Sequence, residues 1–167
     1  MKKLILSMAT LLITIMGYAQ NTLVATLTHG DEISMYYGTY ALQDAYNAAN
    51  NGDVINLSGG TFQSVDIYKN ISIRGAGIGD SIRTYIQGGF TINIKESTPG
   101  RLLVEGVRFT DRLDIETVKA PYFFKCRFTN IQYFGESKDV MFANCIITEG
   151  FYTGDWSTGE TTITFLN

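Results

Sequence analysis

The strongest constraint on the fold is an internal repeat that runs from Leu102 to Thr148. Segments 102–111, 121–130 and 140–149 align without gaps, and equivalent residues recur every 19 positions. Four aligned columns carry the repeat, namely Val107/Cys126/Cys145, Phe109/Phe128/Ile147, Thr110/Thr129/Thr148 and Asp111/Asn130/Glu149. Self-similarity at a short fixed period is the mark of a solenoid, in which each unit stacks on the next.

Within each copy apolar positions alternate with polar ones, as in Val107, Arg108 and Phe109. A period of two predicts strands rather than helices, and a unit of this length suits two or three short strands joined by bends. Each strand then pairs in parallel with its equivalent one coil away, about 4.8 Å distant, so that like residues stack. The Leu-x-x-Leu-x-Leu frame of a leucine-rich repeat, the rival at this length, is missing. We therefore predict an all-β parallel β-helix.

The first 19 residues are predicted to be a signal peptide. Lys2 and Lys3 precede an apolar run from Leu4 to Met16, which is too short to span a bilayer as a helix. Gly17-Tyr18-Ala19 follows and places small residues at both positions that a signal peptidase recognises. We predict a signal peptide over 1–19, a β-helix domain over 20–167 and no membrane span after cleavage.

The predicted mature chain is mildly acidic. Loss of Lys2 and Lys3 leaves 11 of the 13 basic residues against 16 acidic ones, a net charge of −5. Nucleic acid is therefore not expected as a partner, because it binds basic surfaces. Cys126 and Cys145 are expected to stack in the core as free thiols. The Cβ atoms of in-register parallel neighbours lie about 1 Å farther apart than a disulfide permits.

One amphipathic helix is predicted ahead of the repeats. Its apolar residues fall at i, i+3, i+4 and i+7, namely Leu42, Ala45, Tyr46 and Ala49. Thr39 is the predicted N-cap, and Asn51-Gly52 is the predicted stop. Such a helix would cover both the core end and the unpaired strand edges of the first coil. His29, in a Thr-His-Gly-Asp turn, is expected to be exposed surface without a partner.

Two motifs accompany this helix. One runs from Leu42-Gln43-Asp44-Ala45 through GDVINL at 52–57 to Gly60-Thr61-Phe62, and the other is ISIRGAG at 71–77. In these motifs the chain resembles the pectin-lyase-like right-handed parallel β-helix family over roughly residues 39–149. The resemblance implies a right-handed solenoid with an N-terminal capping helix, in a secreted protein of the Bacteroidetes type. The family includes lyases, hydrolases, adhesins and non-catalytic proteins, so the resemblance implies no single activity.

The first candidate site is the outward column of Arg108 and Arg127, whose guanidinium groups would lie about 5 Å apart. Like charges at that distance repel unless an anion lies between them, and Arg clamps carboxylates well. One interpretation is a site for an acidic sugar, as in the acidic-polysaccharide lyases of the family that the chain resembles. The other is that Glu105, Asp111 or Asp114 neutralises the arginines, which is the commoner arrangement for stacked charges.

The second candidate site is a Gly-rich loop at 151–159, in a coil four residues longer than its neighbours. It holds Tyr152 and the only tryptophan, Trp156. Exposed aromatic residues on a loop can stack on sugars; the alternative is that Trp156 folds back over an apolar edge. The glycan-binding candidates are therefore Arg108, Arg127, Tyr152 and Trp156.

The sequence contains no recognisable catalytic set. A single histidine cannot build a Ser-His-Asp site here, CxxC and HExxH motifs are missing, and no carboxylate pair can be chosen for glycosidic chemistry. Asp111, Asp114 and Glu116 spread along one exposed strand, which is typical of solvated surface rather than of a calcium site. We expect no cofactor and no metal.

Three functions remain open. The first is a glycan-binding or partner-binding protein without catalysis, secreted, periplasmic or on the outer surface of a Gram-negative bacterium, whose partner is a polysaccharide or cell-surface glycan. The second is the N-terminal part of a polysaccharide lyase or glycoside hydrolase, and the third is a structural adhesin stalk. Segment 163–167 repeats 140–144 and stops before the inward position. We therefore expect a domain incomplete at its C-terminus that self-associates through an open last coil.

The predicted cleavage site can be checked directly. Mass spectrometry of the exported protein is expected to place the mature N-terminus at Gln20, because Gly17 and Ala19 are the small residues that a signal peptidase requires. A protein that retains Met1, or that starts at another residue, would contradict this prediction.

Overall fold

A computed structural model of the chain describes residues 22–79, 81–134, 137–154 and 162–167. The predicted signal peptide and Trp156 lie outside these residues. The described part contains fifteen β-strands and one α-helix. In chain order they are β1 (Val24–His29), β2 (Glu32–Tyr37), α1 (Ala41–Ala48), β3 (Val54–Leu57), β4 (Gly60–Gln63), β5 (Ser72–Arg74), β6 (Thr84–Gln87), β7 (Phe90–Asn93), β8 (Leu103–Glu105), β9 (Val107–Phe109), β10 (Leu113–Thr117), β11 (Tyr122–Phe124), β12 (Arg127–Tyr133), β13 (Val140–Ala143), β14 (Ile146–Thr153) and β15 (Ile163–Leu166).

The strands wind into a parallel β-solenoid of about five turns. The first sheet has the order β2-β1-β3-β5-β8-β11-β13-β15. The second has the order β4-β6-β9-β12-β10-β7, and β14 also pairs with β12. Both β9 and β10 neighbour β12 because this strand is long enough to pair with each of them. The predicted all-β parallel β-helix, with a short helix near its N-terminus, is confirmed.

In-register stacking builds the core. Phe123 lies opposite Val104 on one side and Phe142 on the other, and the rings of Phe123 and Phe142 stack with centroids 4.9 Å apart. Phe109 and Phe128, which the sequence places in one column, stack in the same way at 5.0 Å. All five side chains are buried. The 19-residue period of the sequence is therefore one turn of the solenoid.

The two cysteines are free, as the sequence predicts. The Cys126 thiol is buried and donates to the carbonyl of Val104, one coil back, at 3.4 Å. Cys145 is partly buried and donates to the carbonyl of Phe123 at 3.5 Å. Burial, and then the contact with Cys145, raises the pKa of the Cys126 thiol well above its usual value. Cys126 therefore packs as a small, protonated core residue.

The helix differs from its prediction at both ends. Its N-cap is Tyr40 rather than Thr39, and no side chain caps the first turn. The carbonyl of Thr39 accepts the N–H of Gln63 at 2.9 Å and so belongs to the turn that meets β4. The helix ends at Ala48, before Asn51-Gly52. The predicted apolar stripe is confirmed, since all four of its residues are buried, namely Leu42, Ala45, Tyr46 and Ala49.

A hairpin, not the helix, forms the N-terminal edge of the first sheet. β1 pairs antiparallel with both β2 and β3. The outer strand β2 exposes Ile33, Met35 and Tyr37 by 65%, 59% and 60%. α1 packs on β1 and β2, but no described residue pairs with the outer edge of β2. The helix therefore covers the core end, and the prediction that it also covers the strand edges is wrong.

The last described strand, β15, pairs with β13 alone among the described strands. Phe165 continues the inner aromatic column by stacking on Phe142 at 5.2 Å, yet it and Leu166 are about half exposed. Self-association through this coil stays a prediction, and these are the side chains that it would bury. No helix in the described part of the chain has the length and apolar character needed to cross a bilayer.

Two adjacent residues at the start of β12, Cys126 just before the strand and Arg127 as its first residue, test the inward and outward assignment. We expect Cys126→Asp to destabilise the fold by about 3 kcal/mol or more, or to prevent folding, because it buries an unpaired carboxylate. Arg127→Asp is expected to change stability by less than about 1 kcal/mol, because its side chain faces out of the coil. Thermal or urea unfolding measures both. Equal losses from the two substitutions would show that the faces are assigned wrongly.

Candidate functional site

Three outward side chains form one column on the second sheet. Arg127 of β12 pairs directly with Arg108 of β9, and Arg108 pairs with Tyr85 of β6. Since neighbouring strands lie about 4.8 Å apart, these side chains must share one stretch of surface. The structure thus brings together the two arginines that the sequence predicts and adds Tyr85. Tyr85 was missed because it precedes Arg108 by 23 positions instead of 19.

This column borders a cavity of about 390 Å³, which we call the arginine cleft. Its lining comes from β6, β9, β12 and β14 and from the bend that follows β9. The lining residues are Tyr85, Arg108, Phe109, Thr110, Arg127, Phe128, Thr129, Thr148 and Glu149.

Tyr85 holds one end of the cleft. Its hydroxyl oxygen accepts hydrogen bonds from Arg83 Nη1 at 3.1 Å and from Arg108 Nη1 at 3.3 Å. These two bonds, that from Arg83 first, lower the pKa of the Tyr85 hydroxyl. The Arg108 guanidinium also lies 5.8 Å from the centre of the Tyr85 ring, within reach of a cation–π contact. Arg108 is therefore oriented by neutral contacts rather than by a carboxylate.

The positive charge of the cleft is not balanced inside the described part of the chain. The Nε of Arg108 is buried there without a hydrogen-bond partner. No described carboxylate lies within 4.0 Å of the guanidinium nitrogens of Arg108 or Arg127. A buried donor without an acceptor is costly, so an anion entering the cleft would gain from both groups.

The alternative that nearby carboxylates neutralise the arginines is wrong for Glu105. This residue lies on β8 of the first sheet, where its Oε2 is 3.8 Å from Nε of Arg74. Register explains the difference, because Glu105 pairs with Arg74 and with Phe124 in the column of the first sheet. Its carboxylate therefore projects from a different face of the solenoid.

The other two carboxylates are also engaged elsewhere. Asp111 accepts the N–H of Gly88 at 2.8 Å and the hydroxyl of Thr110 at 2.9 Å, and these bonds lower its pKa. Asp114 Oδ1 lies 2.6 Å from Nε of Arg112. Each carboxylate is held by its own bend or strand, so neither reaches the arginine pair.

A β-bulge brings a carboxylate to the opposite end of the cleft. Phe128 pairs with Ile147, but Asn130 pairs with Gly150, so two residues of β14 face one residue of β12. The sequence column of Asp111, Asn130 and Glu149 is therefore wrong at its last member. Bulges re-aim side chains, and here Glu149 lines the cleft. Nothing in an ungapped repeat alignment signals this extra residue.

The floor between the two ends is a ladder of threonine hydroxyls. Thr129 donates to the carbonyl of Phe109 and Thr148 donates to the carbonyl of Phe128, each at 3.1 Å. A hydroxyl has one proton and two acceptor positions. Because the proton is used by the backbone of the preceding coil, the hydroxyl oxygens remain as acceptors for a ligand.

Of the remaining predicted site residues, Tyr152 is described by the structure and does not line this cleft. Tyr152 is 54% exposed on β14 and pairs with Gln132, beyond the bulge. Its ring reaches back along the strand, since a Cβ added at Gly150 would lie 2.8 Å from its Cζ. It therefore approaches the Glu149 end without entering the cavity. Trp156 lies outside the described residues.

A larger cavity, of about 510 Å³, lies at the corner between β1 and β6. Its described lining is made mainly of small and apolar groups, such as Leu23, Gly59, Gly60 and Ile82. Among its described lining residues only Arg83 is charged, whereas the described lining of the arginine cleft has two cations and a carboxylate. We therefore take the arginine cleft as the candidate site.

The three carboxylates on and beside β10, which the sequence offers as calcium ligands, each have a separate partner. Asp111 and Asp114 are held as described above, and Glu116 accepts the side-chain amide of Asn93 at 2.6 Å. The described residues contain no group of three or more His, Cys, Asp or Glu side chains placed to hold a metal ion.

His29 has a partner that the sequence did not reveal. Its Nδ1 lies 2.8 Å from Oδ1 of Asp53, a buried residue that also accepts the N–H of Asn50 at 2.7 Å. The pair ties the end of β1 to the turn after α1. The hydrogen bond and the charge of Asp53 raise the pKa of His29 above its ordinary value of 6.5.

Comparison of the chain with protein-family models, with curated proteins and with solved structures found no match. The resemblance to the pectin-lyase-like family therefore remains an interpretation of the motifs at 42–62 and 71–77.

The raised pKa of His29 predicts a pH-dependent contribution to stability. The protonated form is favoured in the fold, so this contribution is complete below the unfolded pKa of 6.5 and is lost as pH rises through the folded-state pKa. We expect His29→Ala to lower the melting temperature more at about pH 5.5 than at about pH 8.5.

The chain has one histidine, so its NMR titration needs no assignment. Asp53→Asn is expected to lower the pKa of His29 towards the ordinary value. An unchanged pKa in that variant would contradict the proposed pairing.

Proposed function

We propose that this protein binds an anionic extracellular glycan in the arginine cleft and performs no chemistry on it. The observation that carries the proposal is the stacking of Arg108 directly on Arg127 with no carboxylate beside either one in the described chain. Such a pair is an incomplete charge arrangement, and a sugar carboxylate or sulfate completes it.

The energetics favour an anion between the arginines. Two unit charges about 4 Å apart interact by about 1 kcal/mol in bulk water and by about 4 kcal/mol near a protein surface. An anion placed between the two guanidinium groups turns this repulsion into two attractions. Arg also binds carboxylate and sulfate oxygens with paired, charge-assisted hydrogen bonds. The stacked register therefore supports a site for a negatively charged group.

The cleft suits a sugar better than a free ion. The threonine hydroxyl oxygens along its floor accept hydrogen bonds, and Tyr85 provides an aromatic wall at one end. Sugars carry many hydroxyl donors and apolar ring faces, which match these two features. A single cleft of this size is expected to bind a short glycan segment weakly.

The proposed location of the protein agrees with such a ligand. We place it outside the cytoplasm, either secreted, in the periplasm or on the outer surface, on the basis of the leader pattern at 1–19. Acidic polysaccharides and cell-surface glycans are met in these compartments. The net acidic charge of the mature chain suits a local anion site better than general polyanion binding.

Arg127→Gln tests the proposal. We expect it to weaken binding to the tightest-binding member of a panel of acidic polysaccharides about tenfold, because one charge-assisted contact is lost. Arg74→Gln is the matched control, since it removes the same charge from an outward position on the first sheet and should change binding less than about twofold. Calorimetry at physiological salt measures both, with neutral dextran as the reference ligand.

Two results would contradict the proposal. Equal weakening by both substitutions would show that the protein attracts acidic polysaccharides through non-specific charge. If no acidic polysaccharide binds at all, the proposed function is wrong. The same samples are read for absorbance of unsaturated uronate. If this absorbance increases with the unaltered protein but not with Arg127→Gln, the protein is a lyase and the proposal of binding without chemistry is wrong.

A further inference from the structure

The arginine cleft has opposite charges at its two ends, and this limits the glycan that fits. We propose that it selects acidic glycans in which a charged sugar is followed by a neutral one, with the charged group on Arg108 and Arg127 and neutral hydroxyls on Glu149. This inference rests on the proposed function and specifies its ligand class. It depends on the bulge that points Glu149 into the same cavity as the arginines.

Glu149 is part of the cleft but does not neutralise it. Its carboxylate lies within 4.0 Å of neither arginine, although all three residues line one cavity. It is also exposed, and its one described hydrogen-bond neighbour is the side-chain amide of Asn130, at 3.5 Å. The charges of the cleft are therefore separated along its length instead of cancelling.

The two ends must recognise different chemistry. The charged groups at the arginine end are two guanidinium groups, which are donors without acceptor positions, so this end favours a carboxylate or a sulfate. The Glu149 end offers carboxylate oxygens. The hydroxyl of the neighbouring Thr148 donates its proton to the carbonyl of Phe128, so that only its acceptor positions are open. That end therefore accepts hydrogen bonds from hydroxyl or amide N–H groups and repels a second anion.

The size of the cavity matches two sugars rather than a long segment. Its volume of about 390 Å³ is at the low end of the roughly 300–1,000 Å³ typical of small-ligand sites. When one charged sugar lies against Arg108 and Arg127, its neighbour in the chain reaches Glu149. A homopolymer that carries a carboxylate on every sugar would place its second carboxylate there. Discrimination by such a repulsive contact is a common source of specificity.

The test compares two hexasaccharides. Hexagalacturonate carries a carboxylate on every sugar, and a hyaluronan hexasaccharide carries one on every second sugar. We expect hyaluronan to bind at least about threefold more tightly at physiological salt, which is the reverse of what non-specific attraction to a positive site would give. Glu149→Gln is expected to raise the affinity for hexagalacturonate about fivefold, because the repulsion is removed. It should not raise the affinity for hyaluronan.

Glu105→Gln is the control, since it removes one negative charge from the first sheet and should leave the preference unchanged. The inference is wrong if hexagalacturonate binds as tightly as hyaluronan or more tightly. The proposed function still stands in that case if both hexasaccharides bind more tightly than dextran to the unaltered protein and no more tightly than dextran to Arg127→Gln. If neither these hexasaccharides nor any acidic polysaccharide binds, both are wrong. A Glu149→Gln protein that keeps the full preference would also overturn the inference.

Discussion

Parallel, in-register pairing is the constraint on which the rest of this structure depends. It places equivalent residues of successive coils about 4.8 Å apart, whatever those residues are. Inside the coil the result is favourable, as when Phe109 stacks on Phe128 with ring centroids 5.0 Å apart; such pairs add about 0.5–1.5 kcal/mol to ordinary burial. Outside the coil the same rule places Arg108 against Arg127, and there two like charges face each other, which is unfavourable.

The unbalanced charge of the cleft arises from register and not from composition. The chain has more acidic than basic residues, so carboxylates are available in number. Register assigns them to other columns, however, as with Glu105 beside Arg74 on the first sheet. A side chain on the outer face of the first sheet cannot reach the outer face of the second, since the two sheets form different sides of the solenoid. A net acidic protein can therefore carry one locally positive surface.

The features that give the cleft its character are departures from the repeat. The bulge opposite Thr129 adds one residue to β14, and Glu149, which lies in this bulge, lines the cavity. The longer coil before Arg108 places Tyr85 beside it. A regular solenoid would offer the same side-chain type at every level. Local insertions, which alter only the bends, change the surface while the inner ladder stays intact.

The sequence by itself determined the solenoid, its 19-residue turn, the inward columns at Cys126 and Phe128, and the outward pair Arg108 and Arg127. These follow from local alternation and from exact spacing, which survive in any structure that stacks the repeats. Only the tertiary structure decided that Tyr85 and Glu149 join the cleft, that the carboxylates lie elsewhere, and that a hairpin forms the N-terminal edge. Each of these depends on how segments of unequal length come into register. A bulge or an antiparallel turn leaves the alternation of apolar and polar residues unchanged, so the sequence pattern does not reveal it.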